Sequence, residues 1–248
     1  MSTRVGDVAA AVVLVVAKAP VPGRVKTRLG ASIGMDAAAE LAAASLLDTL
    51  AACAAAYPAG RRHLALDGDL AEARRGQELR DALEGWQVHP QRGDGLAERL
   101  GAAHADVAAV SGGPVVQVGM DTPHAPVGTL RAAADLLVGP DDAVLGPAHD
   151  GGWWLLGVAG PHLLVHLPEV PMSTDATGAG TLDALARAGG HVHQVEALRD
   201  VDELDDASAV AQAAPQSRFA LAFAELGVDP AVDPGVGPVV GPGTEVPA

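Results

Sequence analysis

Residues 8–29 read VAAAVVLVVAKAPVPGRVKTRL. Residues 8–17 are an unbroken apolar run rich in valine, with no polar face at a 3.6-residue period. Such a run marks a strand buried on both sides, the kind found in parallel α/β sheets. The second half is a loop with Pro20, Pro22 and Gly23 and four cations, Lys18, Arg24, Lys26 and Arg28. In open α/β sheets ligands bind in the crevice beyond the carboxyl ends of the strands. A basic loop ending the first buried strand is therefore expected to bind an anion, most plainly the phosphates of a nucleotide. The competing reading is a solvated basic turn.

Working outward, apolar and polar segments alternate. Helical spacing predicts helices over 35–57, 70–83, 96–110, 127–138, 175–188 and 216–226, and the acidic run 200–206 opens another. Short apolar stretches at 63–66, 86–89, 114–118, 142–145, 153–158 and 191–195 read as strands, most of them closed by Gly- or Pro-bearing turns. This repeated β-then-α order predicts one mostly parallel sheet with helices on both faces, an α/β/α three-layer domain. Residues 1–226 are read as a single domain, since no compositional break interrupts them. Residues 227–248 are Pro, Gly and Val without periodicity and read as a disordered tail.

The totals bound the function. Of 248 residues 49% are hydrophobic but only 2% aromatic, so Ala, Val and Leu must build the core. A formal charge of −15 repels nucleic-acid backbones and anionic lipid, so neither is an expected partner. A mononucleotide in one local basic pocket remains compatible with it. The single cysteine, Cys53, excludes an intrachain disulfide and suits a reducing compartment. Asp7 and Lys18 fit a signal peptide poorly, and no wholly apolar run reaches the ~18 residues of a membrane span, so a cytoplasmic location is expected.

Several groups could carry chemistry. Gly23 permits close approach of a ligand, and Lys26, Thr27 and Arg28 stand where a helix can begin, a favourable place for phosphate. This is no Walker loop: Val25, not glycine, precedes Lys26, and Pro20 and Pro22 remove N–H donors. Asp121 and Asp150 each follow a buried strand and should share the sheet's carboxyl edge with the basic loop. Two carboxylates beside phosphates suit Mg2+ or Mn2+, with phosphate and water oxygens completing the shell. Taken singly, Asp121 equally suits a helix cap or Asx turn, and Asp150 a hairpin turn with Gly151 and Gly152. Trp153 and Trp154 should face opposite sides of a strand, one toward the core and one toward a pocket. The 200–206 carboxylates either cap a helix or lend a ligand to the metal. The histidines match no zinc pattern, and Ser45, Ser111 and Ser173 lack a Gly-x-Ser-x-Gly elbow.

Five blocks together resemble a bacterial transferase family with the glycosyltransferase-A fold, the radical-SAM-associated glycosyltransferases. They are AKAPVPGRVKTRL at 17–29, QRGDGLAERL at 91–100, GMDTP at 119–123, LGPAHDGGWWLLG at 145–157 and DVDELDD at 200–206. The chain is similar, more distantly, to nucleotidyltransferases that guanylylate phospholactate or make molybdenum cofactor. The resemblance implies a Rossmann-like sheet, a nucleotide-sugar or nucleoside triphosphate donor and a small-molecule acceptor. It implies Asp121 as the metal carboxylate, Lys26 on the phosphates as a catalytic group, and Asp150 with Gly151 and Gly152 near the donor or acceptor. Lys18, Gly23, Arg24, Arg28 and Asp94 would bind the donor, and Gly151, Gly152, Trp153, Trp154, Ser173 and Thr174 would shape the acceptor side. The expected activity is glycosyl transfer, with nucleotidyl transfer or a silent nucleotide-binding module as alternatives. The chain departs from the family in its paired tryptophans and in lacking a tryptophan before Ser173.

Overall fold

A computed structural model describes residues 11–227. Residues 8–10 of the expected first strand, and the tail from 228 onward, lie outside the described residues. The order of elements is β1 (Val12–Lys18), α1 (Thr27–Ile33), α2 (Met35–Ala56), β2 (Arg62–Asp67), α3 (Gly76–Ala82), β3 (Gln87–Pro90), α4 (Leu96–Ser111), β4 (Val115–Gly119) and α5 (Val127–Asp135). Then come β5 (Asp142–Pro147), β6 (Trp153–Val158), α6 (Thr177–Arg187), β7 (His191–Gln194), α7 (Leu204–Ala213) and α8 (Arg218–Glu225).

The strands form one seven-stranded sheet in the order β3-β2-β1-β4-β6-β5-β7. Every neighbouring pair is parallel except the two made by β6. The exception follows from the chain: only the short turn at 148–152 separates β5 from β6, too little for a crossover helix, so the two must be antiparallel. The strong reading of the first stretch holds, because β1 lies in the middle of the sheet and Val12 to Val15 are fully buried.

Side-chain alternation on β1 splits the core. Val13, Val15 and Ala17 pack with Leu46, Leu47 and Leu50 of α2, while Val12 and Leu14 pack with Ala103 and Val107 of α4. Farther along the sheet, Leu145, Leu156 and Val158 meet Leu163, Leu167 and Leu185. The result is the three-layer α/β/α arrangement expected. By length and composition α2 could cross a membrane, but 72% of its apolar window is buried inside the protein, where it is the central core helix.

Three of the helices that fall short of their expected bounds have a clear local cause. The helix expected at 70–83 begins only at Gly76, because Asp69 caps Ala71 N at 2.8 Å and Arg74 N is spent on Pro20 O at 2.8 Å. That pins 69–75 to the basic loop instead of into a helix. The helix expected to reach 138 stops at Asp135, where Asp142 accepts from Val138 N (3.1 Å) and Gly139 N (2.6 Å). α6 starts at Thr177, not 175, because Thr177 Oγ1 bonds back to Thr174 N and Pro171 O.

Candidate active site

With β1, β2, β4 and β5 parallel, their carboxyl ends share one edge of the sheet. The loops after them, near residues 18–26, 67–75, 120–126 and 148–152, therefore gather on one rim.

Lys26 and Asp121 meet there. The ammonium of Lys26 lies 2.8 Å from Asp121 Oδ1 and also donates to the Val201 carbonyl. Its side chain is only 10% exposed, against 40% for Asp121. Lys26 precedes α1 with φ 48, a left-handed backbone that is costly for lysine and that its partners hold in place. An ion pair of this kind contributes little net stability, since desolvation offsets attraction; its significance is positional.

The segment after β7 closes the site as a strap. Val195 N bonds Leu145 O (3.0 Å), Glu196 O accepts from Trp154 Nε1 (3.0 Å), and Leu198 bonds both Pro147 and His149 through its backbone. Val201 N then reaches Asp121 O at 3.0 Å, while Val201 O takes the Lys26 ammonium. One residue of the strap thus ties β4's loop to β1's loop. The strap also carries Asp200, whose carboxyl is pushed up to about 6 by burial first and by the charge of Asp150 next. Asp121 adds to the rise and Lys26 opposes it, so Asp200 feels the charges of all three. The acidic run at 200–206 divides its labour. Glu203 and Asp206 form the capping box of α7, Asp202 pairs with Arg28 at 2.5 Å, and Asp200 alone faces the rim carboxylates.

The remaining predicted residues fall into two groups. Lys18 and Arg24 line a hollow of about 240 Å3 with Ala19, Val21, Asp67 and Gly68, beside the Lys26 loop. Arg24 is exposed and 3.7 Å from Glu72. Gly23 has φ 77, which the turn needs. Asp94 is exposed in its own turn, its amide bonded to Glu98 Oε2 at 2.9 Å. That turn is fixed across the strand ends by Gln91, whose Nε2 donates to Ala17 O and Ala65 O.

On the other side, Asp150 Oδ1 accepts from Gly152 N at 2.7 Å, closing the hairpin. Gly151, at φ 90, rests against the backbone of Asp175, and Gly178 N bonds Gly151 O at 2.8 Å. This docks the hairpin onto the start of α6 and brings it beside exposed Ser173 and Thr174. Trp154 is buried, and Trp153 is partly buried against the core with Nε1 3.1 Å from Thr181 Oγ1. Periodicity gave no sign of Asp67, Gln91 or Val201, because their roles rest on contacts between segments far apart in sequence.

A divalent cation is chemically suited to this rim. Asp121, Asp150 and Asp200 offer hard carboxylate oxygens that repel one another, a repulsion a cation relieves. Among the described residues no three His, Cys, Asp or Glu side chains are grouped closely enough to hold a metal unaided. Substrate oxygens and water would have to supply the rest, as Mg2+ usually requires.

Residues 49–174 match the sequence model of a family described as "Uncharacterized protein conserved in bacteria (DUF2064)". No curated protein matches the chain. Among solved structures, one from Desulfovibrio desulfuricans, provisionally named a nucleotide-diphospho-sugar transferase, is 26% identical. It covers 87% of this chain and 94% of its own, with a TM-score of 0.71. A nucleotidyl transferase from Methanothermobacter thermautotroptrophicus is 17% identical over 82% of this chain and 96% of its own, TM-score 0.52. A manganese complex of Rv0371C from Mycobacterium tuberculosis, 17% identical over 82% and 98%, has a TM-score of 0.50. The last two share the fold; the first is also related in sequence.

Proposed function

The chain belongs to the DUF2064 family of bacterial proteins, and from that premise we propose that it is a metal-dependent transferase taking a glycosyl group from a nucleotide sugar to a small-molecule acceptor. The observation that carries this reading is the meeting of Lys26 and Asp121 at 2.8 Å on the carboxyl rim, with Asp200 on the strap feeling the charges of both and of Asp150. The 26% likeness to a protein named as a nucleotide-diphospho-sugar transferase supports the same donor class.

In this reading the hollow beside Lys18, Arg24 and Asp67 takes the nucleoside end of the donor. Its diphosphate lies toward Lys26, whose charge offsets the negative charge that grows on the leaving group. Asp121 and Asp200, with Asp150, would hold Mg2+ or Mn2+, which supplies Lewis-acid stabilisation of the leaving diphosphate. Arg28, exposed and paired with Asp202 of the strap, stands at the start of α1, the helix that Lys26 precedes. The acceptor approaches over the hairpin at Asp150 to Gly152 and the Ser173–Thr174 turn, with Trp154 as the buried support of that wall.

The test is to incubate the full chain with Mn2+ and, separately, UDP-, GDP- and ADP-sugars or nucleoside triphosphates. Release of nucleoside diphosphate from a nucleotide sugar, absent when the metal is chelated, is the expected result. Pyrophosphate released from a triphosphate would assign nucleotidyl transfer instead. Binding without turnover of any of these would make the protein a nucleotide-binding module.

A further inference from the structure

We propose that Lys26 and the divalent cation compete for Asp121, so that metal and donor diphosphate bind as a coupled pair rather than independently. This inference rests on the donor-site reading above and adds its regulation. The carboxylate that the reaction assigns to a metal already holds a cation, the Lys26 ammonium at 2.8 Å on Oδ1. The lysine that the reaction assigns to phosphate is likewise engaged, by Asp121 and by the Val201 carbonyl. Each group is therefore withdrawn from its ligand by the other.

The arrangement is built rather than incidental. Lys26 reaches Asp121 from a left-handed backbone, with its side chain nine-tenths buried, and Val201 fixes both residues from the strap. A metal arriving alone must displace a buried ammonium that then has only one carbonyl as partner. A diphosphate arriving alone must draw Lys26 away from Asp121 and leave that carboxylate without its cation, beside Asp200. When both arrive, the ammonium moves to phosphate oxygens and the metal takes its place, and neither cost remains. Each ligand then raises the affinity for the other by the same factor, as linkage requires. The rim of the free protein is a closed ion pair that opens more readily for donor and metal together than for either alone.

Manganese binding, followed by loss of the free-ion electron paramagnetic resonance signal, tests this without any turnover. In the parent, Mn2+ alone should bind weakly, and UDP or GDP should tighten it by on the order of tenfold, after subtracting the nucleotide–metal complex in solution. Lys26→Gln removes the competing charge and keeps a hydrogen-bond donor for Val201. It should bind Mn2+ alone about tenfold more tightly than the parent and lose the nucleotide-dependent gain. Adding Asp121→Asn to the Lys26→Gln chain should abolish Mn2+ binding, and thermal melts of each variant establish that it is folded.

If folded Lys26→Gln bound Mn2+ alone no better than the parent, the competition would be refuted even where the donor assay succeeds. If Mn2+ bound the double variant, the ion would sit elsewhere and the competition would fall with it. Should UDP, GDP and the nucleotide sugars all fail to bind while Lys26→Gln gains Mn2+ affinity, the ion pair would stand as a cation lock and the donor reading would fall.

Discussion

At Asp121 the contact that serves the fold and the contact on which the proposed function rests fall on different atoms. Its backbone carbonyl accepts from Val201 N and its carboxylate meets Lys26, so the two roles are separable. Asp121→Asn keeps the first and weakens the second. The variant should fold, yet lose Mn2+-dependent donor binding by at least about 100-fold, the upper end of what disturbing a ligand's support alone costs. Calorimetry with and without Mn2+ decides it: equal donor binding by variant and parent would remove Asp121 from the metal site. Gly151 carries the opposite burden. A Cβ there would lie 2.1 Å from Asp175 O, a backbone atom that cannot yield, and its φ is 90. Gly23 has a similar φ of 77 but nothing within 4 Å of the added carbon. Gly151→Ala should therefore cost at least about 2 kcal/mol, and Gly23→Ala only about 1 kcal/mol. Urea midpoints compare the two; equal costs would mean that conformation alone, and not the docked hairpin, demands glycine at 151.

Among the elements, α4 is held to the sheet by a buried polar contact within an apolar layer. His104 is fully buried, with Nε2 3.0 Å from Gln117 Oε1 of β4, and its Nδ1 has no partner. Burial pushes the ring down to about 4, against a small opposing pull from Gln117. The folded ring is thus neutral where an unfolded one, near 6.5, takes a proton. Stability from this source is complete above pH 6.5 and is lost as pH falls toward 4, because the unfolded chain binds more protons in that window. The gap is worth about 3 kcal/mol. His63, lowered to about 4 by burial and then by His89, steepens the same limb. Replacing both members of the α4 pair, His104→Leu with Gln117→Leu, leaves no orphaned amide and should flatten much of the loss between pH 7.5 and 4.5 in urea titrations. An unchanged slope would place the acid sensitivity elsewhere. Such elements also mark where sequence is legible. The valine run announced β1, and turn residues after each strand placed Lys26, Asp121 and Asp150 on one rim. The segment 69–75 looked helical because helical residues fill it, but its Asp69 and Arg74 contacts reach a cap and a distant loop, which periodicity does not register. Asp200 was visible as one acid among five; only the strap's pairing of Val201 with Asp121, eighty residues away in sequence, singles it out.

For the molecule as a whole, a strongly acidic chain brings Lys26, Asp121 and Asp200 together at a junction of distant segments. β1's loop, β4's loop, the β5–β6 hairpin and the strap meet at the rim, and Val25, Met120, Ala125 and Leu198 anchor three of them in the Leu- and Val-rich core that holds the sheet. Ligand binding at a junction so tied to the core should register in global unfolding. A donor present at 100 times its dissociation constant adds about 2.7 kcal/mol to the folded state. For a chain of this size each kcal/mol moves the melting temperature by roughly 2–4 °C, so a shift of roughly 5–10 °C is expected. The coupling of Lys26 to Asp121 makes the pattern more informative than the size. Mn2+ alone and nucleotide alone should each shift the melt little, and together they should exceed the sum of the two. A nucleotide that gives its full shift in the presence of chelator would show that the carboxylate rim takes no part in holding the donor, and would move the site to the hollow at Lys18 and Asp67 alone.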